Sequence, residues 1–155
     1  LIICKSMSKC YALSGLRVAY IVSQKSDYLR KYIPPWSVSL PAQLAAISAL
    51  KNPDYYQNKY RIIHFEREKL SQGLTDIGFK VFPGVANFLL TTLPIDSNYS
   101  SSSFITESRN LGLFVRDAEN MGVTLTNKSV RFAIRSSEEN NRMLSLVRKI
   151  IMKDQ

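Results

Sequence analysis

Ser6-Met7-Ser8-Lys9, followed by Gly15 and Arg17, is the segment of this sequence whose residue types could do chemistry. Two hydroxyls and a lysine sit in a polar turn after a short apolar run, and an arginine stands at the mouth of the next one. A dianionic phosphate is satisfied by hydroxyl and backbone donors on one side and a guanidinium on the other. A lysine held beside such cationic groups and partly desolvated is expected to have a lowered pKa. That favours the neutral amine, which condenses with an aldehyde. Pyridoxal phosphate is a small molecule that carries both a phosphate and an aldehyde. The tetrad S-x-S-K by itself is common in solvated turns; the weight lies in the longer string that runs on to Tyr20.

A second candidate group is cationic. Arg131 and Arg135 are four apart in VRFAIR, which reads as a strand, so both are expected on one face. Two guanidiniums on one strand face repel each other unless water covers them or an anion lies between. A solvated edge strand is the plainer reading of the spacing alone. Other reactive side chains have less to offer. Cys10 follows the lysine but has no base beside it in sequence, and Asp27, Asp76 and Asp154 show no metal-ligand spacing. His64 sits among Ile62, Ile63 and Phe65 and is expected to be a partly buried structural histidine. Trp36 could stack on a ligand, but a core or interface anchor is the plainer expectation.

The elements that must position these residues follow from periodicity. Ile2 to Cys4 reads as the end of a buried strand and Leu16 to Val22 as a second strand. An opening in a core strand suggests a fragment of a longer chain. Pro34, Pro35 and Trp36 form a stiff connector before a helix opened by Ser39 or Leu40, with Pro41 in its first turn. Asn52-Pro53-Asp54 marks a second, long helix, with Tyr56, Tyr60, Ile63, Leu70 and Leu74 at helical spacing and Gly78 as its stop. Arg61, Glu66, Arg67, Glu68 and Lys69 are expected largely on its other faces. FKVFP and ANFLLT read as short strands around Pro83-Gly84, and SNYSSSS as a polar loop. Phe104 to Leu111 reads as a helix, and Leu113 to Val115 and Val130 to Ile134 as strands. Ser136 with Glu139 three residues on is a capping box for a last helix, whose buried stripe is Met143, Leu146, Val147 and Ile150.

Composition limits the function classes. The 155 residues are 45% hydrophobic and 21% charged, as in a folded globular chain. No apolar run approaches the ~20 residues of a membrane span, and no signal peptide is read at the start. Two cysteines rule out a disulfide scaffold, and a lone histidine excludes any mechanism needing two imidazoles. The net charge of +9 is spread from Lys5 to Lys153 without a block of like charge. That distribution weighs against a nucleic-acid arm and leaves room for an anionic small molecule. A non-catalytic basic binding module is the alternative from another class.

The string SMSKCYALSGLRVAY resembles the lysine motif of the class I/II aminotransferases, the fold-type I enzymes dependent on pyridoxal phosphate. The family pattern, approximately S-x-[ST]-K-x-x-x-L-x-G-L-R-x-G-Y, is met by Ser6, Ser8, Lys9, Leu13, Gly15, Leu16, Arg17 and Tyr20. Ala19 departs from it, where the family usually has glycine. The resemblance covers essentially the whole chain. It implies an α/β fold, the C-terminal portion of a fold-type I transferase. Residues 1–50 would close the large cofactor-binding α/β domain, and residues 51–155 would form the long connecting helix and the small α+β domain.

Residue by residue, the resemblance makes Lys9 the Schiff-base lysine and proton shuttle. It gives Ser6, Ser8 and Arg17 the cofactor phosphate. Arg131 matches the arginine that grips a substrate α-carboxylate and Arg116 a position that contacts a substrate phosphate; Asn87 lies in a family motif near the site. Within the family the chain is similar to the branch of L-threonine-O-3-phosphate decarboxylases and histidinol-phosphate aminotransferases. PPWSVSLPAQLAAISAL, PGVANFLL and VRFAIRSSEENNRML are more like the decarboxylases, and Arg135 stands where the aminotransferases typically have glycine. The expectation is therefore decarboxylation of L-threonine O-3-phosphate to (R)-1-amino-2-propanol O-2-phosphate in cobalamin biosynthesis, with Arg116, Arg131 and Arg135 on the substrate. Transamination of histidinol phosphate, with glutamate as amino partner, is the second expectation. Both substrates are small anionic phosphates. The resemblance also implies a cytoplasmic homodimer for the full-length enzyme, with no metal, nucleic acid or membrane. It places the ring-stacking aromatic and the aspartate partner of the pyridine nitrogen before the lysine segment, so these residues alone are expected to be catalytically incompetent.

Overall fold

A computed structural model describes residues 1–154. It divides into two units, Leu1–Tyr60 and the residues from Arg61 onward.

In the first unit β1 (Ile3–Ser6) and β2 (Ala19–Val22) form an antiparallel pair in the register Ile3↔Val22 to Ser6↔Ala19. Both strands expose most of their side chains, so the buried strand end read at Ile2–Cys4 is corrected: in this unit little packs on it. The second strand starts later than Leu16, because Ser14–Leu16 forms a 3-10 turn and Arg17 takes a left-handed conformation with φ 53°. The short helix α1 (Ser26–Arg30) has no counterpart among the expected elements. Helix α2 (Leu40–Leu50) starts as the sequence suggests: the Ser39 hydroxyl accepts from the Ala42 amide at 3.4 Å, and Pro41 occupies the first turn. Its Ala42, Ala46 and Ala49 pack with Met7 and Val18 into a small core. The next helix starts at Pro53, as the sequence suggests, but the Asn52 side chain turns back onto α2, its side-chain amide donating to the Ser48 carbonyl at 2.7 Å.

Helix α3 (Pro53–Asp76) runs 24 residues. It ends at Gly78, whose φ of +98° lets the Phe79 amide reach back to the Leu74 carbonyl at 3.0 Å. Beyond it β3 (Lys80–Val81), β4 (Phe88–Thr92), β5 (Arg116–Asp117) and β6 (Ser129–Ala133) make a four-stranded antiparallel sheet in the order β3-β4-β6-β5. Alternation along β4 and β6 sends Leu89, Thr91, Val130 and Phe132 to one face. Leu70 and Leu74 of α3 pack there, with Phe104 and Ile105 of α4 (Ser101–Asn110) and Met143, Val147 and Ile150 of α5 (Ser137–Asp154). Phe79, Phe104 and Phe132 meet edge to face at 5.8–6.4 Å.

Two boundaries differ from expectation. Helix α4 begins at Ser101, inside the serine run, because Ser100 and Ser103 form a reciprocal capping box. Leu113–Val115 is not a strand. Gly112, at φ +75°, closes α4 with the Leu113 amide on the Ser108 carbonyl at 2.8 Å, so pairing begins only at Arg116. On α3, Glu66 and Arg67 are buried rather than outward, and His64 is exposed rather than partly buried. Trp36 is 98% exposed with φ 57°, which removes the core half of the expectation that it is a core or interface anchor.

Candidate functional site

The lysine segment is a closed loop. Beyond the paired Ser6 and Ala19, the Met7 amide donates to the Val18 carbonyl at 3.1 Å, and the Leu13 amide folds back onto the Met7 carbonyl at 3.1 Å. Met7, with 0% of its surface exposed, anchors the loop from below. Lys9 and Ala12 form a turn, the Ala12 amide on the Lys9 carbonyl at 3.2 Å. This closure puts Ser6 and Ser8 at one foot of the loop and Arg17 at the other. The Ser6 hydroxyl donates to the Ser8 hydroxyl at 3.0 Å and accepts the Ser8 amide at 3.3 Å, so two hydroxyls point together beside an exposed lysine. The Arg17 guanidinium donates to the Ser14 carbonyl at 3.2 Å through one terminal nitrogen, which leaves its other donors for an anion.

Tyrosines steady this loop. Tyr60 donates to the Cys10 carbonyl at 3.2 Å, and Tyr11 packs edge to face on Tyr56 at 4.8 Å. A hydrogen bond with Tyr20, together with burial, pushes the Tyr11 phenol up to about 12. Tyr60 is also raised, chiefly by burial. Both phenols therefore stay neutral through the physiological range.

The second unit carries its own cationic group, differently composed from the one read in the sequence. Arg135 lies past the end of β6, so it does not share a strand face with Arg131. Its guanidinium donates to Glu139 at 2.9 and 3.2 Å, and its backbone amide is capped by Asn140 Oδ1 at 3.0 Å. The neighbour of Arg131 is Arg116, its direct cross-strand partner on β5. Directly opposed residues of a ladder share one face, with Cβ atoms ~5 Å apart, and like charges there are unfavourable. An anion relieves that repulsion. The Arg131 guanidinium lies over the Phe88 ring, 4.9 Å from its centroid. Arg116 also lines a shallow cleft of about 480 Å³ with Arg109 and Thr106. Asn87 exposes its side chain while its carbonyl accepts the Ile134 amide at 3.1 Å.

Glu139 closes the capping box with Ser136, its carboxylate accepting the Ser136 hydroxyl at 2.7 Å. Those bonds to Ser136 and the pairing with Arg135 hold its pKa down at about 2. Sequence reasoning missed Glu66, Arg67, Phe88 and Asn140 as parts of this group. The signal for Arg67 was its spacing, three and seven residues before Leu70 and Leu74, on the stripe that faces the core. Among the described residues no group of three His, Cys, Asp or Glu side chains stands close enough to hold a metal ion, and no helix is long and apolar enough to cross a membrane.

Comparison with known proteins matches residues 1–147 to the family model for aminotransferases of class I and II. Histidinol-phosphate aminotransferase 2 of Archaeoglobus fulgidus is 33% identical over 153 residues, 97% of this chain and 42% of that protein. The crystal structure of the histidinol-phosphate aminotransferase from Clostridium acetobutylicum superimposes with a TM-score of 0.86 at 27% identity, covering 99% of this chain and 46% of that one. The same enzyme from Sinorhizobium meliloti, solved in complex with pyridoxal-5'-phosphate, gives 0.81 at 23% identity over 98% of this chain and 41% of that one. L-threonine-O-3-phosphate decarboxylase from Porphyromonas gingivalis gives 0.75 at 22% identity over 98% and 47%, which speaks for the fold alone. The chain thus spans about two fifths of the length of the curated relatives it matches.

Proposed function

The chain belongs to the aminotransferase class I and II family, whose cofactor is pyridoxal phosphate, and on that premise we propose that it serves the transamination of a phosphorylated amine, histidinol phosphate. The observation that carries the substrate is the likeness to histidinol-phosphate aminotransferases at 30–33% identity over 97% of the chain. This reverses the order of the two expectations, since the decarboxylase likeness is structural and below the identity at which it says anything of substrate.

The donor set of the first unit suits pyridoxal phosphate. Ser6, Ser8 and Arg17 supply two hydroxyls and a guanidinium for a dianionic phosphate, and Lys9 supplies an exposed primary amine for the aldehyde. When bound, the cofactor's pyridine ring withdraws electrons from the bond broken at the amine-bearing carbon. Lys9 would hold the cofactor through its side-chain amine and, once free of it, would move the proton at that carbon. Arg131 and Arg116 bind substrate anions, a phosphate or the carboxylate of the amino partner. Arg135 is already matched by Glu139, so its guanidinium brings little free charge to a substrate. In the full-length protein this reading carries with it a cytoplasmic homodimer.

The test is amino transfer. Full-length protein given L-histidinol phosphate and 2-oxoglutarate is expected to yield glutamate. Release of carbon dioxide from L-threonine O-3-phosphate, without glutamate formation, would replace the reading by decarboxylation. In the 155 residues alone, pyridoxal phosphate followed by borohydride is expected to label Lys9 without turnover. Labelling elsewhere, or a full turnover rate, would refute it.

A further inference from the structure

Arg67 is 5% exposed and has no carboxylate partner among the described residues. A buried, always-charged guanidinium is costly, and it persists where hydrogen bonds replace its water. Here one terminal nitrogen, Nη1, donates to the Ala86 carbonyl at 2.8 Å and to the Phe88 carbonyl at 2.7 Å, the carbonyls of the two residues on either side of Asn87. Those bonds pin the start of β4 at the residue whose ring lies under the Arg131 guanidinium at 4.9 Å. The neighbouring Glu66, also buried, accepts from Asn140 Nδ2 at 3.1 Å. Asn140 in turn holds both the amide and the carbonyl of Arg135, at 3.0 Å each. One turn of α3 therefore grips the strand that enters the sheet at Phe88 and the turn that leaves it after Ala133, residues paired in the β4–β6 ladder.

We propose that Arg67 is a positioning residue for Arg131: by bonding the carbonyls that flank Asn87 it sets the Phe88 ring, and through that ring the direction in which the Arg131 guanidinium presents itself to a substrate anion. What Arg131 holds rests on the proposed function; its dependence on Arg67 does not. A residue that only stabilised the fold would lower the melting temperature without changing where Arg131 lies.

Nuclear magnetic resonance on the full 155-residue chain separates the two. The side-chain protons of Arg131, lying over an aromatic face, are expected upfield of those of an exposed arginine, and Phe88→Leu, which leaves Arg67 intact, identifies that shift by abolishing it. Arg67→Gln is expected to collapse the upfield shift and to weaken binding of inorganic phosphate roughly tenfold, the weight of one charge-assisted hydrogen bond. Arg67→Lys, one bond shorter in reach, is expected to fall between. A folded Arg67→Gln chain that keeps the Arg131 shift overturns the proposal. Should Arg67→Gln fail to fold, Arg67→Lys decides: an unaltered Arg131 signal at a lowered melting temperature overturns it equally. If the unsubstituted chain takes up neither phosphate nor pyridoxal phosphate, the proposed function falls, while the Arg131 shift, read without any ligand, still judges the role of Arg67.

Discussion

Replacing Arg116 by glutamine should stabilise the chain when no anion is bound. Arg116 and Arg131 oppose each other directly across β5 and β6, so their charges stand on one sheet face. Arg116 is exposed and Arg131 half-buried, which keeps the effective dielectric close to that of water. Two unit charges ~6 Å apart at that dielectric repel by about 0.7 kcal/mol, and salt with a Debye length of ~8 Å removes much of it. In a unit of this size that is a rise in Tm of roughly 2–5 °C at low ionic strength. An anion bound between the two guanidiniums reverses the order. At ten times its dissociation constant it stabilises the parent chain by about 1.4 kcal/mol, and Arg116→Gln forfeits most of this. The assay is thermal unfolding of both chains at low and high salt, with and without inorganic phosphate. Three results would refute the reasoning: a lower Tm for Arg116→Gln in the absence of phosphate, a gain that does not shrink with salt, or equal stabilisation of both chains by phosphate.

Other expectations rest on equally local observations. Ser136→Ala removes the cap of α5 and is expected to cost about 1 kcal/mol, measured by denaturant unfolding. Glu139 has its pKa lowered from 4.5 to about 2, so its contribution to stability is complete above pH 4.5 and is lost as the pH falls toward 2. Glu139→Gln should flatten that acid limb, and a Tm–pH profile reports it. Phe132→Ala empties a fully buried site between Phe79 and Phe104 and is expected to cost about 3–5 kcal/mol. Tyr60→Phe deletes the bond to the Cys10 carbonyl and should cost about 1 kcal/mol. Hydrogen exchange in the Lys9 loop is expected to quicken with it, while exchange in β6 stays unchanged.

The sequence by itself determined whatever depends on near neighbours. Ser39 with Pro41, Ser136 with Glu139, and Gly78 at the end of α3 could all be read directly, because a cap or a left-handed stop involves groups within one helical turn. The lysine string was legible for the same reason: Ser6, Ser8 and Lys9 are contiguous, and the loop that returns Arg17 to them is short. The serine run before α4 was ambiguous, since several serines in a row could each open a helix; burial of Phe104 and Ile105 against the sheet goes with Ser100 as the cap. The cationic group of the second unit was decided only by tertiary structure. Arg131 has Arg116 beside it, and not Arg135, because strand pairing joins residues fifteen apart in sequence while a helix cap draws Arg135 away. Arg67 looked like an outward charge because its partners, the carbonyls of Ala86 and Phe88, arrive from another element. A charged side chain carries its cost of burial in its own chemistry, whereas the groups that repay it are assembled only when the sheet and its helices close.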